Sequence, residues 1–214
     1  MARKNFNVYA CKMTIEDAGS NIDFSNKQLV SFLDTIKCLP VDLTLEKTCI
    51  KTTVDTVPLA VSNPNDVSIK ALQALRSSLE FLISEGASPI VGISCLAPGA
   101  GQVFISENLA SLFAISGKKT LLVDADLRKG HLAKKFGIDG NTGLSQILLH
   151  NEPIDSAICK TTVENLELIP CGAPPSNPAE LLSSKRYLMV IEELAKRYDL
   201  VVINTPSLAL AADA

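Results

Sequence analysis

The chain has 214 residues, 47% of them hydrophobic and 20% charged, which suits one α/β domain or a domain with an arm and excludes a disordered chain. Its formal net charge of −3 leaves no overall basic face, so nucleic acid is not an expected partner. Six scattered cysteines (Cys11, Cys38, Cys49, Cys95, Cys159, Cys171) show no ligand spacing and read as small buried or free thiols rather than a metal or catalytic centre, and two lone histidines (His131, His150) offer no catalytic pair.

The first 57 residues read as an arm or linker without chemistry. Asp23 to Ile36 carries Leu29, Val30, Leu33 and Ile36 at helical spacing, with Ser25 or Asn26 as cap, and residues 40–57 suit a strand or an extended linker. Residues 58–214 read as one domain. Asn65 or Asp66 caps a helix with Val67, Leu72, Leu75, Leu79 and Leu82 inward, ending near Gly86. Ile90–Ser94 is a strand, followed by a Gly-rich turn and a helix to Ile115 closed by Gly117. Thr120–Asp124 and Leu166–Ile169 are further strands, and Leu144–Leu149 and Ile154–Cys159 are short helices. Asn177, Pro178 and Glu180 open a helix that runs to about Arg197 with Leu181, Leu182, Met189, Leu194 and Ala195 inward. Asp199–Asn204 is a buried strand, continuously apolar as parallel strands are. No 18-residue apolar run occurs and Met1–Asn7 lacks the apolar core of a signal peptide, so the chain is expected to be soluble or peripheral.

Alternating strands and helices predict a doubly wound, mainly parallel sheet flanked by helices, with ligands at the carboxyl ends of the strands. Three segments meet at that edge. Pro98, Gly99, Ala100 and Gly101 form a Gly-rich turn between strand and helix, where backbone N–H groups and a helix N-terminus favour phosphate. Asp124 and Asp126 follow the second strand and suit Mg²⁺, although Asp126 also suits a cap toward Arg128. Asn204 and Thr205 end the last strand. The composite is that of a phosphate-loop NTPase fold. The basic run Arg128, Lys129, His131, Lys134 and Lys135 reads as a solvated face.

The domain resembles the cytoplasmic catalytic domain of the bacterial tyrosine kinases of capsular and exopolysaccharide biosynthesis and export. Leu59 to Asn65 resembles the entry segment of that domain, and Leu121 to Gly130 its specialised second Walker motif. Gly172 to Leu182 is similar to its Pro-Asn-Pro loop, with Ser176 where Pro is usual, and Tyr198 to Ala214 to its Walker B strand and beyond. The resemblance covers about three quarters of the chain. It implies an ATP-dependent, non-specific protein-tyrosine kinase site, with ATP or ADP and Mg²⁺ as cofactors. Nucleotide would lie on Pro98 to Val103, the metal on Asp124, Asp126 and Asn204, and catalysis on Asp124 and Asp126.

The departures from the family pattern cluster at the reacting centre. Gln102 and Val103 stand where the family carries Lys then Ser or Thr, and Asn204 stands where it carries Asp. Lys70, Gln73 and Arg76 stand at the positions of the Glu-x-x-Arg-x-x-Arg helix that builds rings. The resemblance also implies further sheet and a tyrosine-rich tail beyond Ala214, so the fold is expected to be incomplete at the C-terminus. The three tyrosines here, Tyr9, Tyr187 and Tyr198, form no cluster. Phosphoryl transfer depends on positioning and charge stabilisation, and one preorganised donor is worth about 3–4 kcal/mol in comparable sites.

The leading expectation is therefore a truncated, catalytically impaired kinase domain that regulates polysaccharide export, binding nucleotide weakly through backbone groups. It would be cytoplasmic or peripheral at the inner face of the plasma membrane. Its expected partners are a membrane polysaccharide co-polymerase or activator, and other copies of itself. Two alternatives are an active tyrosine autokinase with an unconventional site, and a relative of the partition and septum-placement ATPases.

Overall fold

The computed structural model describes residues 57–84, 89–95 and 101–207. The proposed arm therefore lies outside the described residues, apart from Val57, as does the predicted end of a helix at Gly86.

The sheet is built from short apolar runs: Ile90–Ile93 (β1), Thr120–Asp124 (β2), Cys159–Lys160 (β3), Leu166–Ile169 (β4) and Leu200–Asn204 (β5). Among the described residues it has five strands in the order β1-β5-β2-β4-β3. The first four run parallel, and the two-residue β3 pairs antiparallel to β4 at the edge. Every residue of β2 and β5 is buried, which explains why these runs carry no polar alternation.

Strand periodicity divides the core into two layers. Val91, Ile93, Leu122, Leu168, Leu200 and Val202 face one layer, covered by Leu59–Ser62 (α1), Val67–Ser84 (α2), Gln102–Ile115 (α3) and Leu132–Lys135 (α4). Leu121, Val123, Ile169, Val201 and Ile203 face the other, covered by Leu144–His150 (α5), Pro178–Leu182 (α6) and Lys185–Arg197 (α7). This is the predicted doubly wound, mainly parallel architecture. Its central helix is α3, buried from Ile105 to Ala114. Ser106 and Ser111 tolerate that burial because their hydroxyls donate back to the carbonyls of Gln102 and Glu107, at 2.8 and 2.6 Å. Gly117, at φ 88°, closes the helix end as the sequence implies.

Several local expectations need correction. Ile154–Ala157 is a 3-10 turn, and Cys159–Lys160 beyond it is an edge strand rather than the end of a helix. The helix predicted from Pro178 to Arg197 is two helices. Ser184 breaks it, because its hydroxyl accepts the Tyr187 N–H at 3.1 Å and caps a new start. The restart turns the helix face, so Val190 and Ile191 are buried and Met189 is 61% exposed. Val67, expected inward, is 80% exposed. Ile69 takes the buried position on that helix.

Candidate functional site

Parallel pairing brings two site residues together. Asp124 at the end of β2 is the register partner of Asn204 at the end of β5, and Asn204 that of Ile93. Both side chains lie on the α3 side of the sheet, in phase with Leu122 and Val202. Asp124 is fully buried and accepts three N–H groups. Asn204 Nδ2 reaches its Oδ1 at 3.0 Å, the Asp126 backbone reaches the same oxygen at 3.3 Å, and the Leu132 backbone reaches Oδ2 at 3.1 Å. Burial pushes the Asp124 carboxyl up to about 6, against the opposing pull of the Asn204 amide and the two backbone donors.

Helix α3 supplies the floor. Gly101 enters it at φ 95°, a conformation that favours glycine, and Gln102 follows, buried. Ser106, one turn on, places its hydroxyl 2.8 Å from the Gln102 carbonyl and 3.3 Å from Asn204 Oδ1. Gln102 Oε1 is buried without a hydrogen-bond partner. Val103 packs its side chain against the core. Pro98, Gly99 and Ala100, the rest of the expected phosphate loop, lie outside the described residues.

Asp126 is buried beside this group, and its Oδ1 accepts the Arg128 N–H at 3.3 Å. It therefore caps the turn that Gly130 closes onto the Asp126 carbonyl at 3.1 Å. Gly130 sits at φ 53°, and a Cβ there would overlap the Cys171 sulfur. Burial first, and then the nearby Asp124 and Asp126, push the Cys171 thiol up to about 12, which leaves it protonated and unreactive. Among the described residues, no group of three or more His, Cys, Asp or Glu side chains is placed to hold a metal.

A second polar pair supports the turn. Glu107, buried on α3, accepts from Lys135 Nζ at 2.6 Å across 28 residues of sequence. Its neighbour Asn108 accepts the Ala60 N–H at 2.7 Å and so fastens the entry segment onto α3. The remaining predicted positions lie elsewhere. Lys70, Gln73 and Arg76 line an open groove of about 520 Å³ with Leu112, Ile115 and Ser116, at the end of α3 away from Gln102. Arg76 Nη1 lies 3.8 Å from Glu80. Tyr187 is half-buried, and burial pushes its hydroxyl up to about 12. Tyr198 is buried and donates to Glu167.

Sequence reasoning overlooked Ser106 and Glu107; Lys135, read as part of a solvated face, pairs with buried Glu107, and Cys171 is the buried free thiol expected. Ser106 was detectable as the residue one helical turn beyond Gln102. The Glu107–Lys135 and Gly130–Cys171 contacts join distant segments and carry no local signal.

A family model described as AAA domain matches residues 89–213. A putative tyrosine-protein kinase in the cps region of Klebsiella pneumoniae is 40% identical over 158 residues, which is 74% of this chain and 22% of that protein. The kinase domain of Escherichia coli tyrosine kinase ETK superposes with a TM-score of 0.70 at 36% identity, over 74% of this chain and 62% of that one. The chimerical protein CapA2B2 superposes with a TM-score of 0.68 at 31% identity, over 76% and 70% of the two chains. The chain spans about a fifth of the length of the curated relatives it matches.

Proposed function

This chain belongs to the bacterial tyrosine-kinase branch of the AAA-domain family, and on that premise we propose that it is a catalytically impaired kinase domain acting in regulation of capsular or exopolysaccharide biosynthesis. In this proposal it works at the inner face of the membrane by engaging a polysaccharide co-polymerase or activator, and not by efficient phosphoryl transfer. The observation that carries it is the side chain at position 102. In place of an ammonium that would meet the β- and γ-phosphates, Gln102 is a buried neutral amide whose Oε1 has no partner. Its amide N–H could give a phosphate a neutral hydrogen bond, but it brings no charge.

The neighbouring donor set supports the same reading, because it does not fit a Mg²⁺ ion. Hard cations need several oxygen lone pairs, yet three of the roughly four that Asp124 offers already accept N–H groups, and Oδ1 of neighbouring Asp126 accepts the Arg128 N–H. Asn204 turns its nitrogen toward Asp124, and Val103 has no side-chain oxygen to offer. What remains for a nucleotide is the backbone of residues 98–103 and the N-terminus of α3. Contacts of that kind would bind weakly and would not by themselves promote transfer. Neither described tyrosine offers a free, exposed hydroxyl as acceptor, which argues against the autokinase alternative for this stretch of chain.

The test compares the chain with a Gln102→Lys, Val103→Thr, Asn204→Asp triple variant, both shown to be folded by circular dichroism. Each is titrated calorimetrically with ATP–Mg²⁺ and ADP, and each is assayed for phosphotyrosine. Weak or absent binding by the unmodified chain, strengthened in the variant, is expected. Tight binding with phosphotyrosine formation by the unmodified chain would overturn the proposal.

A further inference from the structure

We propose that Asn204 takes the place of a divalent cation in this site, so that the ends of β2 and β5 and the turn after β2 hold together without metal. The proposal deepens the functional one by assigning the cation dependence of the same site. It rests on geometry that needs no nucleotide.

Asp124 and Asn204 are register partners on adjacent strands, both buried, with Nδ2 3.0 Å from Oδ1. An aspartate at position 204 would put a second carboxylate at hydrogen-bond distance from the first. Two buried like charges at that separation require a cation or a shared proton between them. An asparagine supplies an N–H at the same place and removes the requirement for this pair, leaving Asp126, whose Oδ1 accepts the Arg128 N–H, as the other carboxylate nearby.

The amide is oriented for this role. An ionised Asp124 can only accept, which fixes the nitrogen toward it. The Asn204 oxygen then faces the Ser106 hydroxyl at 3.3 Å and shares its single proton with the Gln102 carbonyl at 2.8 Å. Asn204 also continues the sheet, since its carbonyl accepts the Ala125 N–H at 2.8 Å. The turn beyond is drawn in by Asp124 itself, through the Asp126 and Leu132 N–H groups. A cation bridging Asp124 Oδ1 and position 204 would have to displace the amide and would leave a buried N–H unpaired. Position 204 thus decides whether the strand ends need a metal.

The experiment measures thermal unfolding of the chain, of Asn204→Asp and of Asn204→Ala near pH 7.5, in EDTA and in millimolar MgCl₂, without nucleotide. Mn²⁺ binding to the unmodified chain is followed by electron paramagnetic resonance. The unmodified chain is expected to melt at the same temperature in both buffers and to bind no Mn²⁺. Asn204→Asp is expected to melt about 5–10 °C lower in EDTA and to recover with Mg²⁺. Asn204→Ala should be destabilised without recovery, because it loses the donor and adds no charge. Stabilisation of the unmodified chain by Mg²⁺, stoichiometric Mn²⁺ binding to it, or an Asn204→Asp variant as stable as the parent in EDTA would overturn the proposal. If Asn204→Asp fails to fold, the Mg²⁺ and Mn²⁺ responses of the unmodified chain decide. Phosphotyrosine formation by a chain that passes these tests would sink the functional proposal and leave this one standing.

Discussion

Replacing Lys135 with Ala isolates what holds α4 against the central helix α3. The Glu107 side chain is 6% exposed and the Lys135 side chain 45%, with Nζ 2.6 Å from Oε1. In the variant, Glu107 keeps only the Asn108 amide at 3.5 Å as a side-chain donor. Removing one partner of a fully buried pair costs about 3–5 kcal/mol. Half of the Lys135 side chain is already in water, so about 2 kcal/mol is expected near pH 8. The sign of the pH dependence follows from the same geometry. Burial raises the Glu107 carboxyl, and Lys135 counteracts this. Without the lysine the folded-state value rises further, so the folded state holds its proton more tightly than the unfolded chain does. Stability from such a group is present below the ordinary carboxylate range and lost as pH rises through the folded value. The variant should therefore lose less at pH 5 than at pH 8. Urea unfolding at both pH values reads the difference, and a Glu107→Gln, Lys135→Ala double variant should recover part of the loss at pH 8. A cost below about 0.5 kcal/mol at pH 8, or equal costs at both values, would refute the reasoning.

Other outcomes follow from single contacts. Gly130→Ala should cost about 2–3 kcal/mol in chemical denaturation, because it adds a Cβ onto the Cys171 sulfur at a left-handed φ. Cys171→Ala in that background should recover part of the cost, and an unchanged midpoint for Gly130→Ala would contradict the packing described. Asp124, raised by burial to about 6 from an ordinary 3.8, contributes stability that is present below about pH 4 and lost as pH rises through 6. The loss is about 3 kcal/mol, and Asp124→Asn should flatten that slope in urea titrations across the window. Ser184→Ala removes the hydroxyl that restarts the helix at Lys185 and should cost about 1 kcal/mol, with no effect on nucleotide titrations.

The parts of the fold visible in the sequence are those with local causes. β2, β4 and β5 were legible because each is a short apolar run bounded by polar or turn residues. Gly117 was legible because only a left-handed closure suits its place. The break at Ser183–Ser184 was not, because a continuous apolar stripe conceals a cap whose hydroxyl competes for the Tyr187 N–H. Met189 was misplaced for the same reason, since a new helix start shifts the inward face by about one residue. β3 escaped notice because two residues, Cys159 and Lys160, have no periodicity to read. Within the site, Asp124 and Asn204 were identified separately by motif, and their contact is a consequence of strand register.

The three altered positions have unlike local consequences, and this bears on how they act together. Val103 joins the core, and Asn204 donates to Asp124 at 3.0 Å while its oxygen shares the Ser106 hydroxyl proton with the Gln102 carbonyl. Both are therefore satisfied where they stand, and restoring either residue alone puts a hydroxyl or a charge into a site that lacks its counterpart. Gln102 differs, because its buried Oε1 has no hydrogen-bond partner. A lysine there would bring an ammonium beside the α3 N-terminus, whose partial positive charge opposes it until a phosphate arrives. Single reversions are then expected to destabilise the apo chain, while the triple reversion regains its stability only with nucleotide and Mg²⁺ present. That non-additivity is what a site rewired as a unit would display, and additive single effects would argue that the three changes are independent.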